Sequence, residues 1–134
     1  MTGVQTCALP IWYGFGRYAV VLPESDRLIG YVGLQYAEWF PEMHDEVEVG
    51  WRIDTGEWGK GFATEGARLA VGQGFELVGL SRIIAVWEPA NTASGRIADK
   101  LGMRLVTRTH DPRGLAIEVM RLERDEWLSS ASSP

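Results

Sequence analysis

Residues 46–79 carry the strongest structural instruction in this chain. An alternating strand pattern runs through a glycine-rich turn straight into a helical pattern. In Glu46-Val47-Glu48-Val49-Gly50-Trp51-Arg52-Ile53, charged and apolar residues alternate with period two. Val47, Val49, Trp51 and Ile53 share one face, and Glu46, Glu48, Gly50 and Arg52 share the other. Gly56-Glu57-Trp58-Gly59-Lys60-Gly61-Phe62-Ala63-Thr64-Glu65 follows, and the period then changes. Ala63, Ala67, Ala70, Val71, Gly74, Phe75 and Val78 recur at helical spacing, with Thr64, Glu65, Arg68, Gln73 and Glu76 mostly off that stripe. This predicts a helix of about 17 residues, roughly 25 Å long, stopped by Gly79.

A strand that delivers the chain to such a turn can hold an anion. The first helical amides have no intrahelical acceptor, and the helix dipole places positive charge there. Gly59 and Gly61 allow the backbone a close approach to a bulky phosphate, and Lys60 either adds charge or sits in solvent. A plain strand-to-helix turn accounts for this short text about as well. Two nucleotide motifs are excluded: there is no Walker sequence, and Gly59-Lys60-Gly61 lacks the third glycine of the dinucleotide fingerprint.

The remaining text supplies a frame. Tyr18–Leu22 and Leu28–Leu34 read as a hairpin around the turn residues Pro23–Arg27. Arg82–Trp87 reads as a strand buried on both faces and ended before Pro89. Asn91 can cap a second helix over Thr92–Leu101, closed by Gly102. Met103–Thr109 and Leu115–Leu122 read as two strands joined at His110–Gly114. The order β-β-β-loop-α-β-α-β-β implies an α/β (α+β) domain with a partly parallel sheet, covering helices and antiparallel flanks.

Composition narrows the function classes. A net charge of −5 argues against a general binder of nucleic-acid phosphates. One cysteine, Cys7, and two histidines, His44 and His110, give poor support to a metal cluster and exclude a disulfide within the chain. No apolar run approaches the roughly 20 residues that span a bilayer. Met1–Trp12 is a poor signal peptide, so the expected location is cytoplasmic.

Four ordered motifs then carry a resemblance. They are Glu48-Val49-Gly50-Trp51-Arg52-Ile53, Trp58-Gly59-Lys60-Gly61-Phe62-Ala63-Thr64-Glu65, Asn91-Thr92-Ala93-Ser94 and Lys100-Leu101-Gly102-Met103. In sequence and spacing they resemble the GNAT acetyltransferase superfamily and, within it, the RimJ/RimL-like branch that acetylates amines. The family's loop pattern fits Trp58–Ala63, with Trp58 in place of the usual first polar residue. The resemblance implies a GNAT fold, a mixed central sheet with covering helices. It spans about Arg17–Trp127, giving an expected domain over 17–128 and a flexible, Ser-rich tail over 129–134. Residues 1–16 are expected to be an atypical segment. Met1–Ile11 (MTGVQTCALPI) is similar to translated sequencing-adapter text and stands where the family carries a first strand and a helix pair.

What the resemblance implies for the site is specific. Acetyl-CoA would be the cosubstrate, with no metal. Its diphosphate would rest on amides of Gly59, Lys60, Gly61, Phe62, Ala63 and Thr64. Its pantetheine would lie along Val49 to Arg52, touching Val49 and Trp51, with Asn91 at the pantetheine or cysteamine end. A backbone amide near Val49–Trp51 would polarise the carbonyl. The partner would be an amine acceptor, a small molecule or a protein N-terminus. A homodimer through an exposed sheet edge is a further option.

Acetyl transfer to an amine requires loss of a proton from the ammonium and benefits from a proton for the departing thiolate. Glu48 is the candidate base, with Glu46 in reserve. The competing reading of Glu48 is a solvated strand residue or a partner of Arg52. Many superfamily members use a tyrosine on this helix as the acid. No tyrosine follows Tyr36, so the role falls to another residue or to water, and the resemblance to the RimJ/RimL-like branch implies Ser94 as the candidate acid. Its competing reading is help in capping the helix. Trp51 and Trp87 read as core rather than site, and His110 as a surface residue. The rival functions are an acyl-CoA-binding module without catalysis and an unrelated anion binder on an α/β scaffold.

Overall fold

The computed structural model describes residues 5–12, by their backbone, and residues 15–131. Seven strands form one sheet: β1 (Gln5–Trp12), β2 (Phe15–Leu22), β3 (Arg27–Tyr36), β4 (Val47–Ile53), β5 (Arg82–Trp87), β6 (Arg104–His110) and β7 (Ala116–Glu123). Their order is β1-β2-β3-β4-β5-β7-β6. Every neighbouring pair is antiparallel except β4 and β5, which run parallel. Helix α1 (Phe62–Gln73) connects those two strands, α2 (Thr92–Leu101) links β5 to β6, and α3 (Arg124–Ala131) follows β7.

The period-two text of β4 separates two cores. Val47, Val49 and Ile53 pack with Ile83 and Ala85 of β5 and with Ala67, Ala70, Val71 and Phe75. The opposite face carries a smaller cluster of Ala37, Phe40, Ile84, Ile117 and Val119. The sheet is thus covered by helices on one side and by the chain after β3 on the other.

The β4 and β5 strands and α2 lie where their patterns place them. The Asn91 side chain accepts from the Ser94 amide at 3.2 Å, and Gly102 closes α2 in the left-handed region with φ +86°. The hairpin turn after β6 is organised by buried Asp111, whose Oδ1 accepts from the amides of Arg113 and Leu115 at 2.9 Å each.

Three features differ from the sequence reading. The long helix does not stay α-helical to Val78, because its last turn, Gly74–Val78, widens into a π-turn. Gly74 sits so close to Leu34 and Ile83 that a Cβ would meet their side chains at 2.8 and 2.9 Å. Its carbonyl accepts from Leu80 at 2.9 Å, and Gly79 then ends the element at φ +82°. The sheet does not begin at Arg17, since β1 pairs antiparallel with β2 from Gln5↔Val21 to Trp12↔Phe15. Its register shifts between Ala8 and Ile11, around Pro10. The segment set aside for its likeness to adapter text thus pairs as an edge strand, where a bulge tolerates a proline that cannot donate to the ladder. Finally, α3 extends to Ala131, into text expected to be frayed, and Trp127 packs on Phe75 with ring centroids 6.1 Å apart. Residues 132–134 lie outside the described residues.

Candidate active site

Strands β4 and β5 meet at a single rung, Glu48↔Ile84. On its other side β4 pairs with β3 along its whole length, from Gly30↔Ile53 to Tyr36↔Val47. Beyond Glu48 the two parallel strands diverge, and β4 leaves one margin open. A pocket of about 570 Å³ lies there, between the end of β4, the turn before α1 and the start of α2. That volume falls in the range of small-molecule sites.

Of the residues singled out from the sequence, Trp51, Gly59, Gly61, Phe62, Ala63, Thr64, Asn91 and Ser94 line this pocket. Gly59 and Gly61 have φ of +80° and +83°, and a Cβ at either would face open space. Glycine is therefore required by the left-handed backbone and not by crowding. Gly61 caps α1 without any side-chain hydrogen bond to the first-turn amides. On α2 the Trp51 indole donates to Ser94 Oγ at 3.3 Å, while the Ser94 amide is held by Asn91.

Three expected residues stand apart from the pocket lining. Val49 is a core side chain, 2% exposed, so a part for it falls to its backbone. Lys60 turns toward Glu57, at 2.9 Å. Glu57 is buried, lines the pocket, and also binds Arg27. The hydrogen bond from Lys60 is the main reason its carboxyl is held below the usual range.

Glu48 is the third. It points to the other face of the sheet, at the rung where β4 and β5 part. It is 7% exposed, and burial pushes its carboxyl up despite hydrogen bonds that oppose the shift. Trp39 donates to its Oε1 at 2.5 Å and Gln35 at 3.3 Å. Next to it, the rung Gly33↔Gly50 carries no side chains, and a Cβ on Gly50 would meet nothing within 4 Å. The sheet face is therefore open over Gly50, beside the carboxylate. The reserve candidate Glu46 is engaged in an ion pair with Arg82 at 2.9 Å.

Sequence reasoning missed several contributors. Arg52, Arg96 and Lys100 bring positive charge to the pocket, and Tyr31 joins its lining. Arg96 and Lys100 are four residues apart, so they share one face of α2, a signal that was present in the sequence. Trp39 and Gln35 reach Glu48 only through strand pairing and the loop after β3, which no local pattern announces. Trp58 stays 59% exposed at the pocket, its indole nitrogen donating to the Ile53 carbonyl at 2.7 Å. Trp87 packs against the helix-side core, and His110 ends β6 exposed.

Among the described residues, no group of three or more His, Cys, Asp or Glu could hold a metal ion, and no helix is long and apolar enough to cross a membrane.

Comparison with known proteins places this geometry in a family. The acetyltransferase (GNAT) domain model matches residues 5–104. The uncharacterized N-acetyltransferase YnaD of Bacillus subtilis is 35% identical over 88 residues, covering 66% of this chain and 49% of the relative. The chain thus spans about half the length of the curated relatives it matches. An acetyltransferase structure from Agrobacterium tumefaciens matches with a TM-score of 0.70 and 27% identity, covering 82% of this chain and 61% of the other. A ribosomal-protein-S5-alanine acetyltransferase structure from Vibrio fischeri shares the fold, with a TM-score of 0.74 and 21% identity, over 85% and 64% of the two chains. With the family model covering most of its length, and its open strand margin leading to a glycine turn, this chain belongs to the GNAT acetyltransferase domain family.

Proposed function

We propose that this chain transfers the acetyl group of acetyl-CoA directly to a primary amine. The observation that carries the reading is the junction of an unpaired β4 margin with the left-handed turn Gly59–Gly61 in one pocket. The family generally uses acetyl-CoA, and the residues present fit it. The uncapped amides of Phe62, Ala63 and Thr64 would hold the diphosphate, and the open space over Gly59 and Gly61 leaves room for it. Arg52, Arg96 and Lys100 offset its charge. The open margin of β4 offers backbone groups to the pantetheine amides, and the Asn91 side-chain NH2 adds a donor.

Acetyl-CoA supplies the thioester; the chain supplies the proton handling. Glu48, held above the usual glutamate range by burial, accepts a proton from the acceptor ammonium on the open sheet face. Ser94 delivers one toward the departing sulfur. The geometry favours this, because the Trp51 indole can only donate and so occupies an acceptor site of Ser94 Oγ. The hydroxyl proton is left to point into the pocket. The RimJ/RimL-like assignment rests on the motif text of 58–65 and 91–94, and the acceptor is a small-molecule or protein N-terminal amine.

Thiol release from acetyl-CoA against a panel of polyamines, amino sugars and peptides tests the proposal. Amine-dependent release is expected with at least one class. Binding of CoA by calorimetry without release for any amine would instead support a coenzyme-binding module, and no binding would end both readings.

A further inference from the structure

We propose that Arg17 and Gln35 position Glu48 so that its Oε2, and not Oε1, is the atom that takes the acceptor's proton. This rests on Glu48 being the base. The three residues share one sheet face: Arg17 is paired with Gly33, and Gln35 with Glu48. Because Gly33 carries no side chain, β2 comes close; a Cβ there would meet the Arg17 Cα at 2.5 Å. The Arg17 side chain lies across this gap. Its guanidinium carbon sits 5.0 Å from the centroid of the Tyr31 ring, and its Nη2 and Nε reach Gln35 Oε1 at 2.6 and 3.2 Å.

A guanidinium has donors only. The Gln35 oxygen must therefore face Arg17, which turns the Gln35 NH2 toward Glu48. The amide orientation is fixed by chemistry. Gln35 Nε2 then donates to Glu48 Oε1 at 3.3 Å, and the Trp39 indole, also a donor only, reaches the same oxygen at 2.5 Å. Oε1 is occupied twice, while Oε2 accepts no hydrogen bond from any described residue. Two obligate donors on one oxygen draw negative charge onto it and hold the carboxylate plane fixed. The other oxygen is left for the incoming ammonium. Arg17 makes no hydrogen bond or ion pair with Glu48 among the described residues. Its charge also favours the ionised Glu48 at a distance, but its contact role runs through Gln35, which makes it a positioning residue.

Side-chain NMR of the full chain tests this without any substrate. The Gln35 NH2 resonances should follow the titration of the Glu48 carboxyl carbon and should lose that dependence in Glu48→Gln. In Gln35→Met the Glu48 midpoint should move up, since a donor to its charged form is gone. In Arg17→Lys, which keeps the charge but not the fork, the Gln35 NH2 should no longer follow Glu48. In thiol release with spermidine and with an alanyl peptide, Gln35→Met should lower kcat on the order of ten-fold. The KM for acetyl-CoA should stay the same, and the acid limb of kcat/KM should move to higher pH. Added to Glu48→Gln, Gln35→Met should cost nothing more. If Gln35 ignores the Glu48 titration, or Gln35→Met leaves the Glu48 midpoint in place, the positioning proposal is wrong while Glu48 keeps its role. Full thiol release by Glu48→Gln removes the base itself, and this inference with it.

Discussion

Glu48 and Ser94 differ in what their removal reveals. Burial raises the Glu48 carboxyl, so the native state binds its proton more tightly than the unfolded chain does. Stability therefore falls as pH rises through the interval between the unfolded and native midpoints, and the deficit persists above both. Glu48→Gln should lower turnover by about 10²-fold or more, leave CoA affinity intact, and unfold no more easily than the parent near neutral pH. Its advantage in denaturant titrations should shrink as the pH drops below the usual glutamate range. Activity of the parent should rise with pH through a midpoint above that range. Ser94 contributes to the α2 cap through its amide, which alanine retains. Ser94→Ala should therefore cost little in thermal midpoint while reducing thiol release several-fold, on the order of a lost charge-assisted hydrogen bond. Full activity in that variant would leave Ser94 without a catalytic part. Asn91→Ala is the counterpart, with a loss of about 1 kcal/mol of stability from the missing cap.

The turn before α1 separates strain from contact. Gly61→Ala would place a Cβ in open space but at φ +83°. The left-handed conformation should cost about 1 kcal/mol or more, and any relaxation of the loop would misdirect the first-turn amides. Calorimetry should show weaker CoA binding with a modest drop in melting temperature. Unchanged affinity would mean the loop does not hold the coenzyme. How much of this was legible beforehand depends on range. The period of β4, the glycine turn and the Asn91–Gly102 helix are local patterns, and they stand where the sequence puts them. The π-turn was not legible, because the contact of Gly74 with Leu34 and Ile83 joins residues far apart in the chain. Glu48 was readable as a candidate, but its donors Gln35 and Trp39 were not, since strand register and the loop after β3 bring them together. Lys60 was read for its charge; the local partner Glu57 that ties it down was present three residues earlier and passed over. Strand β1 was missed because Met1–Ile11 was set aside as adapter-like text; its pairing with β2 is a long-range contact, and the edge position tolerates Pro10.

Taken whole, the sheet has two parts of different construction. Strands β1 to β4 form an antiparallel meander, and β5, β7 and β6 form a second antiparallel set. Helix α1 packs on β3 and β4 and against α2, α2 packs on β5, and the ion pair of Arg82 with Glu46 adds a clasp at the edge of the boundary. Such an exposed pair is worth at most about 1 kcal/mol. The backbone itself crosses the boundary by one rung. A seam held by one backbone rung should resist a small tilt of one half less than a full ladder would. Coenzyme seated in the cleft would act as the missing lacing between the halves. Hydrogen exchange should record this as slowed amides along 49–53 when CoA is added, with little change in the meander's interior. Equal exchange with and without CoA would mean the two halves are already rigid with respect to each other.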